Sequence, residues 1–176
     1  AYTPSGFPKL PPLGDNISMQ PISDHWHMGL PNKGTALLID LGCEGERARG
    51  LLEYLDPAET YVFYANAFAD PEFVDAVIER NADIIERQGK GHMIAYPFGN
   101  LKALDLQLES LCRELSEKYR VILAPLGPKP FSLVSLLLST RLPMIDVWQV
   151  TATRNRPADR HALGPISVCK ASFVDS

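Results

Sequence analysis

RVILAPLGPKPFSLVSLLLSTR, residues 120–141, is the stretch that decides the fold. Residues 121–124 form a short apolar run of the kind a buried parallel strand needs, and residues 131–138 continue as an apolar helix. LGPKP therefore lies at a strand-to-helix turn, the place where open α/β sheets bind their ligands. Gly127 gives the backbone freedom at that turn, Pro128 and Pro130 stiffen it, and Lys129 is held between them at the mouth of the sheet. A cation fixed at a helix N-terminus suits an anionic ligand. The plainer alternative is that glycine and proline only turn the chain while Lys129 is solvated.

Working back toward the N-terminus, the same alternation recurs. TALLIDL, residues 35–41, is a strand that runs into Gly42, Cys43, Glu44 and Gly45 before a helix over 46–55, with Ala48, Leu51, Leu52 and Leu55 as its inward stripe. Asp56-Pro57 closes that helix, because a residue before proline avoids helical angles. Residues 61–65 give a second strand. Asp70-Pro71-Glu72 then has an N-cap, a first-turn proline and a first-turn acid in order, and Phe73, Val74, Val77, Ile78, Ile84 and Ile85 predict one helix. A third strand over 92–96 leads to Asn100, an N-cap for the helix whose leucines at 101, 104, 108, 111 and 115 form a core stripe.

Beyond residue 141, a fifth strand occupies 144–150. The polar segment 151–164 carries Arg154, Arg156, Arg160 and His161, and 166–173 alternates as a last strand. No helix fits between these two strands, so the spacing predicts that they pair antiparallel at the sheet edge. Residues 1–34 are rich in proline and glycine and lack a sustained period, which predicts an extended arm. Phe7, Leu10, Leu13, Ile17, Ile22, Trp26 and Leu30 make that arm too apolar for a solvated linker, so it is expected to lie on its own domain or on a partner. His25 and His27 flank Trp26 without a third metal ligand in view. The division is an arm, 1–34, and a Rossmann-like domain, 35–176: a mostly parallel, doubly wound sheet of about six strands with the last antiparallel.

Composition narrows the function. The hydrophobic fraction is 45% and the charged fraction 22%, and no apolar run reaches the roughly 20 residues that span a bilayer. A net charge of −4 disfavours a surface for long nucleic acid but leaves room for a local basic pocket. Cys43, Cys112 and Cys169 are far apart and outside any CxxC pattern, which fits a reducing, cytoplasmic setting rather than a disulfide framework or a zinc site.

In a doubly wound sheet the informative residues follow the strands. Gly42, Glu44, Gly45 and Arg47 follow the first; Asn66 and Phe68 the second; Phe98 and Asn100 the third; Gly127, Lys129, Phe131 and Ser132 the fourth; Thr151 and Arg154 the fifth. Arg47, Lys129 and Arg154 are the candidates to meet phosphate oxygens. Asn66 and Asn100 are candidates to read a base edge or ribose, and Phe68, Phe98 and Phe131 to stack a base. Glu44 and Glu46 also serve as first-turn acids that complement a helix dipole.

LGPKPFSLVSLLL resembles the loop motif after the fourth strand of CRISPR-associated Rossmann-fold (CARF) sensor domains, with Lys129 at the motif lysine, Gly127 at one glycine and Ser132 in the helix start. Leu126 and Pro128 stand where that motif has glycine and threonine. The loop 42–47 is similar to that family's other ligand-contact loop in placement. The resemblance implies a cyclic oligonucleotide or related nucleotide second messenger as ligand, a dimer, and a signal passed to an effector in a prokaryotic defence system.

Two other classes stay open. LLIDLGCEGE resembles the first motif of S-adenosylmethionine-dependent methyltransferases through Asp40, Gly42 and Gly45, but Glu44 replaces a glycine and no acid ends the second strand. A non-catalytic scaffold subunit is the third reading, and the apolar arm favours it. The expectation is a nucleotide-type sensor or regulatory module, forming a homo-oligomer or holding a protein partner through the arm.

Overall fold

The computed structural model describes residues 3–4, 17–22, 33–66, 71–152, 162–163, 168, 170 and 172. Its centre is β3 (Thr35–Asp40), whose residues 36–40 are all buried because helices cover the sheet on both sides. β3 pairs in parallel with β4 (Glu59–Asn66) on one side and with β6 (Arg120–Pro125) on the other. β5 (Met93–Pro97) continues outward beyond β4, and β7 (Ile145–Ala152) beyond β6. With β2 (Ile17–Pro21), the six-stranded sheet has the order β2-β7-β6-β3-β4-β5. The chain thus winds outward from β3 through β4 to β5, returns to β6 and winds the other way. The switch point lies between β3 and β6.

Helices fall on the two faces as this winding demands. α1 (Gly45–Leu55), α2 (Pro71–Arg80) and α3 (Ala82–Gln88) bury Ala48, Leu51, Val77 and Ile84 against Leu37, Ile39, Val62 and Ile122. α4 (Leu101–Ser116) and α5 (Lys129–Arg141) bury Leu104, Leu108, Phe131, Val134 and Leu138 against Leu38, Phe63, Tyr96 and Leu123. The leucine stripe of α4 is core, and Cys112 joins it as a buried free thiol. Among the described residues, no helix is long and apolar enough to cross a membrane.

Two expectations are corrected. The antiparallel strand of the sheet is β2, from the N-terminal arm, and not 166–173. β7 already has β6 on one side and β2 on the other, with Ile17 opposite Ala152 and Pro21 opposite Trp148, so neither edge is left for a later strand. Of 166–173, the described residues 168, 170 and 172 lie outside any strand, and the others lie outside the described residues. The segment ISMQP suits a half-covered edge. Ser18 and Gln20 face solvent, Met19 packs inward against the α1 side, and Pro21 is tolerated because an edge strand has one free side. Thr3–Pro4 (β1) and Ala162–Leu163 (β8) pair separately as a small antiparallel ladder.

The second correction is the helix predicted through Ile85, which is two helices broken at Asn81. Asn81 is fully buried and turns its amide onto Val77 O at 2.7 Å and Gly42 O at 2.9 Å. A residue that spends its side chain on backbone carbonyls in this way competes with helix continuation. Other local expectations match the structure. Asp56 ends α1 in the left-handed region (φ 42°), Pro71 opens α2, and the Asn100 side chain accepts from Ala103 N at 3.0 Å to cap α4. Asp70, Phe68, the His25–Trp26–His27 cluster and Cys169 lie outside the described residues.

Candidate functional site

The loops at the carboxyl edge of the sheet carry the candidate residues, and the two central ones meet at the switch point. Asp40 and Pro125 are register partners at the ends of β3 and β6, and Leu126 N donates to Asp40 O at 3.2 Å. From there, residues 41–45 lead into α1 and residues 126–128 into α5. Gly42 and Gly127 come together where they do because neither carries a side chain. A Cβ on Gly42 would lie 2.5 Å from Leu126 O, and one on Gly127 only 2.3 Å from Asp40 Oδ2.

The 41–45 loop is also held from the other side. Asn81 donates to Gly42 O, Arg80 Nη1 donates to Cys43 O at 3.4 Å, and a Cβ on Gly45 would lie 2.4 Å from Arg80 O. Arg49 anchors this arrangement by donating to Arg80 O and, twice, to the Asp83 carboxylate. The break between α2 and α3 therefore works as a seat for the loop after β3.

The helix ends at the switch point are poor in caps. The N-cap of α1 is Glu44 and that of α5 is Pro128, and neither supplies a side-chain cap hydrogen bond. Glu44 instead pairs with Arg47, Oε2 to Nε at 2.6 Å, so its charge is largely offset within the first turn. α5 has no acid in its first turn and begins with the exposed Lys129. Both helices direct the positive end of their dipole toward the carboxyl edge, although in α5 Pro130 has no N–H and Phe131 N donates to Pro128 O at 3.2 Å, which leaves the Lys129 N–H. α4, by contrast, is capped by Asn100.

Beneath these loops lies Asp40, which the sequence offers only within the methyltransferase-like motif and not among the ligand contacts. The Asp40 side chain is fully buried. Its Oδ2 accepts from the Tyr96 hydroxyl at 3.2 Å and lies close against the Gly127 backbone, whereas Oδ1 has no partner among the described residues. Burial pushes its pKa well above the usual carboxylate range, and the bonds from Tyr96 and Gly127 only partly oppose this. Tyr96 reaches Asp40 from β5 across β4, where its register partner is the small Ala65. Burial and the nearby Asp40 raise the phenol in turn, so Tyr96 remains a donor.

The sequence candidates sort as follows. Gly42, Glu44, Gly45, Arg47, Gly127, Lys129 and Ser132 lie on the two loop-and-helix starts that flank the switch point. Asn66 is exposed at the end of β4, and Thr151 is exposed on β7 opposite Ser18. Phe98 packs partly on the core, and Asn100 has its side-chain oxygen committed to the α4 cap. Phe131 is corrected. It is fully buried, with ring centroids 5.3 Å from Phe63 and 5.9 Å from Tyr96, so it is a core residue and cannot stack an incoming base. Arg154 lies outside the described residues.

The signal for Asp40 was an acid ending an otherwise apolar run, TALLID. For Asn81 it was a polar residue within a helical pattern. Neither residue type reveals its partners from spacing alone. Among the described residues, no group of three or more His, Cys, Asp or Glu is placed to hold a metal ion. No protein-family model matches the chain, and no curated protein matches it in sequence.

Proposed function

We propose that this chain is a nucleotide-type ligand-binding module with a sensing or regulatory role, its ligand seated at the carboxyl edge over the β3–β6 switch point. The observation that carries this reading is the pairing of two helix N-termini, those of α1 and α5, on adjoining loops, each without a side-chain cap. Such ends favour an anion such as a phosphate, and Lys129 at the start of α5 adds a full positive charge. Asn66 and Thr151, exposed on the flanking strands, offer polar contacts to the remainder of a larger ligand. The resemblance of LGPKPFSLVSLLL to the CARF motif supports a cyclic oligonucleotide as the first ligand to test. The methyltransferase reading has less support, since Asp40 is buried and β4 ends in Asn66 rather than an acid.

One observation favours the scaffold reading as the second choice. Leu106 on α4 and Leu133 and Leu136 on α5 are exposed, at 59%, 39% and 40%. A thermal-shift panel on wild type and Lys129→Ala with cyclic di- and oligonucleotides, linear nucleotides and S-adenosylmethionine separates the readings. A ligand at 100 times its dissociation constant stabilises by about 2.7 kcal/mol. A shift with a nucleotide that is reduced in Lys129→Ala supports the module. A shift with S-adenosylmethionine alone transfers the site to methyl transfer, and no shift with any ligand leaves the scaffold reading.

A further inference from the structure

Asp40 ties together the ends of three strands. Its own backbone ends β3, its Oδ2 receives the hydroxyl of Tyr96 from β5, and the backbone of Gly127, from the loop that follows β6, lies directly against the same carboxyl. We propose that Asp40 is a proton-operated latch. As a neutral acid it holds the 126–128 loop shut against β3, and loss of its proton releases that loop at the carboxyl edge.

The geometry supports this in three ways. The carboxyl is entirely out of water, and its Oδ1 is buried without a partner among the described residues. An ionised carboxylate there would have no donor on Oδ1 among the described residues, and such a group keeps its proton rather than bear the desolvation cost. With Oδ2 accepting from Tyr96, the proton belongs on Oδ1. Second, the closed state is tight: the Gly127 backbone stands so near Asp40 Oδ2 that no Cβ fits between them. The loop therefore cannot admit water to the carboxylate without moving away. Third, the moving part is short and leads directly into Lys129 and α5, so release displaces the residues at the mouth of the switch point.

The groups that face Asp40 are few. From β5 comes Tyr96, which stays protonated, and from the 126–128 loop comes backbone alone. The charged side chains on the adjoining elements are Lys129 at the start of α5 and the Glu44–Arg47 pair at the start of α1. The latch does not depend on what the crevice binds. It makes access to that crevice, and the seating of the start of α5, sensitive to pH.

Hydrogen–deuterium exchange of the whole chain, followed at residues 125–131 between about pH 5 and about pH 9 and corrected for intrinsic rates, tests it. One-proton linkage predicts that loop opening in the wild type rises by up to about tenfold per pH unit from the ordinary carboxylate range up to the raised value of the buried carboxyl, and levels off above it. Asp40→Asn keeps an acceptor for Tyr96 and Gly127 but cannot ionise, so its opening is expected to be independent of pH. Tyr96→Phe removes a bond that favours the ionised form, so the pH at which the rise levels off moves upward. Opening that is flat in the wild type, or that rises equally in Asp40→Asn, overturns the latch. Should Asp40→Asn fail to fold, Tyr96→Phe decides alone, and an unmoved levelling-off overturns it.

Discussion

Gly42 and Gly127 meet backbone to backbone across the switch point: a Cβ built on Gly42 would lie 3.2 Å from Gly127 Cα. The contact joins loops that are more than eighty residues apart in sequence, and it is as close as it is because both positions are glycine. Neither has an unusual φ that would itself demand glycine, so the requirement is one of space. Alanine at Gly42 must push the Leu126 carbonyl out of the way, and alanine at Gly127 the buried Asp40 carboxyl and the Leu41 carbonyl. Gly127→Ala and Gly42→Ala are each expected to lose about 1–3 kcal/mol in urea unfolding. Gly99→Ala, where a Cβ would meet nothing within 4 Å, serves as the control and should change little. Wild-type stability in Gly127→Ala would show that the loops do not approach this closely.

Asn81 holds the other side of the same loop. Its amide serves Gly42 O and Val77 O at once, from a position with no exposure to water. Truncation to alanine removes both donors and leaves two carbonyls short of a partner, a loss of about 1–3 kcal/mol. Alanine also restores helix propensity at the break and favours joining α2 to α3, which would pull the seat away from the 41–45 loop. Asn81→Ala should therefore lower the urea midpoint and raise amide exchange at 41–45 more than in α4. Destabilisation spread evenly over the chain would deny Asn81 this local role.

Much of this fold was legible because β3 and β6 are buried on both faces and their sequences, ALLI and VILA, are correspondingly apolar without alternation. The helices announced themselves through periodicity and caps, as with Asn100 and the α4 leucines. β2 was not legible. An edge strand needs only a short inward face, here with Met19 packed on the core, and the prolines in and before it read as a break in structure. Phe131 was misplaced for a related reason: the first turn of α5 follows a ligand-type loop in sequence, yet the helix immediately turns that ring toward Phe63 and Tyr96. The Asp40–Tyr96 bond spans fifty-six positions and an intervening strand. Sequence spacing carries no trace of such a contact; only the sheet order creates it.

The anchor of the Asn81 seat gives the acid limb of the stability curve. Arg49 donates to both oxygens of Asp83, at 2.7 and 2.6 Å, and these hydrogen bonds with the guanidinium charge hold the Asp83 carboxyl down at about 2. A depressed acid binds its proton more weakly in the folded state than in the unfolded one. Its contribution to stability is thus present above the unfolded value, 3.8, and is lost as pH falls through about 2. Both side chains are more than a third exposed, at 38% and 50%, so water and salt screen the pair and its contribution is small. Asp83→Asn should be less stable than wild type at neutral pH, the two curves should converge on acidification below the ordinary carboxylate range, and salt should narrow the gap. Urea unfolding at a series of pH values measures this directly. Parallel curves would mean that the pair orients the Asn81 seat without coupling its stability to protons.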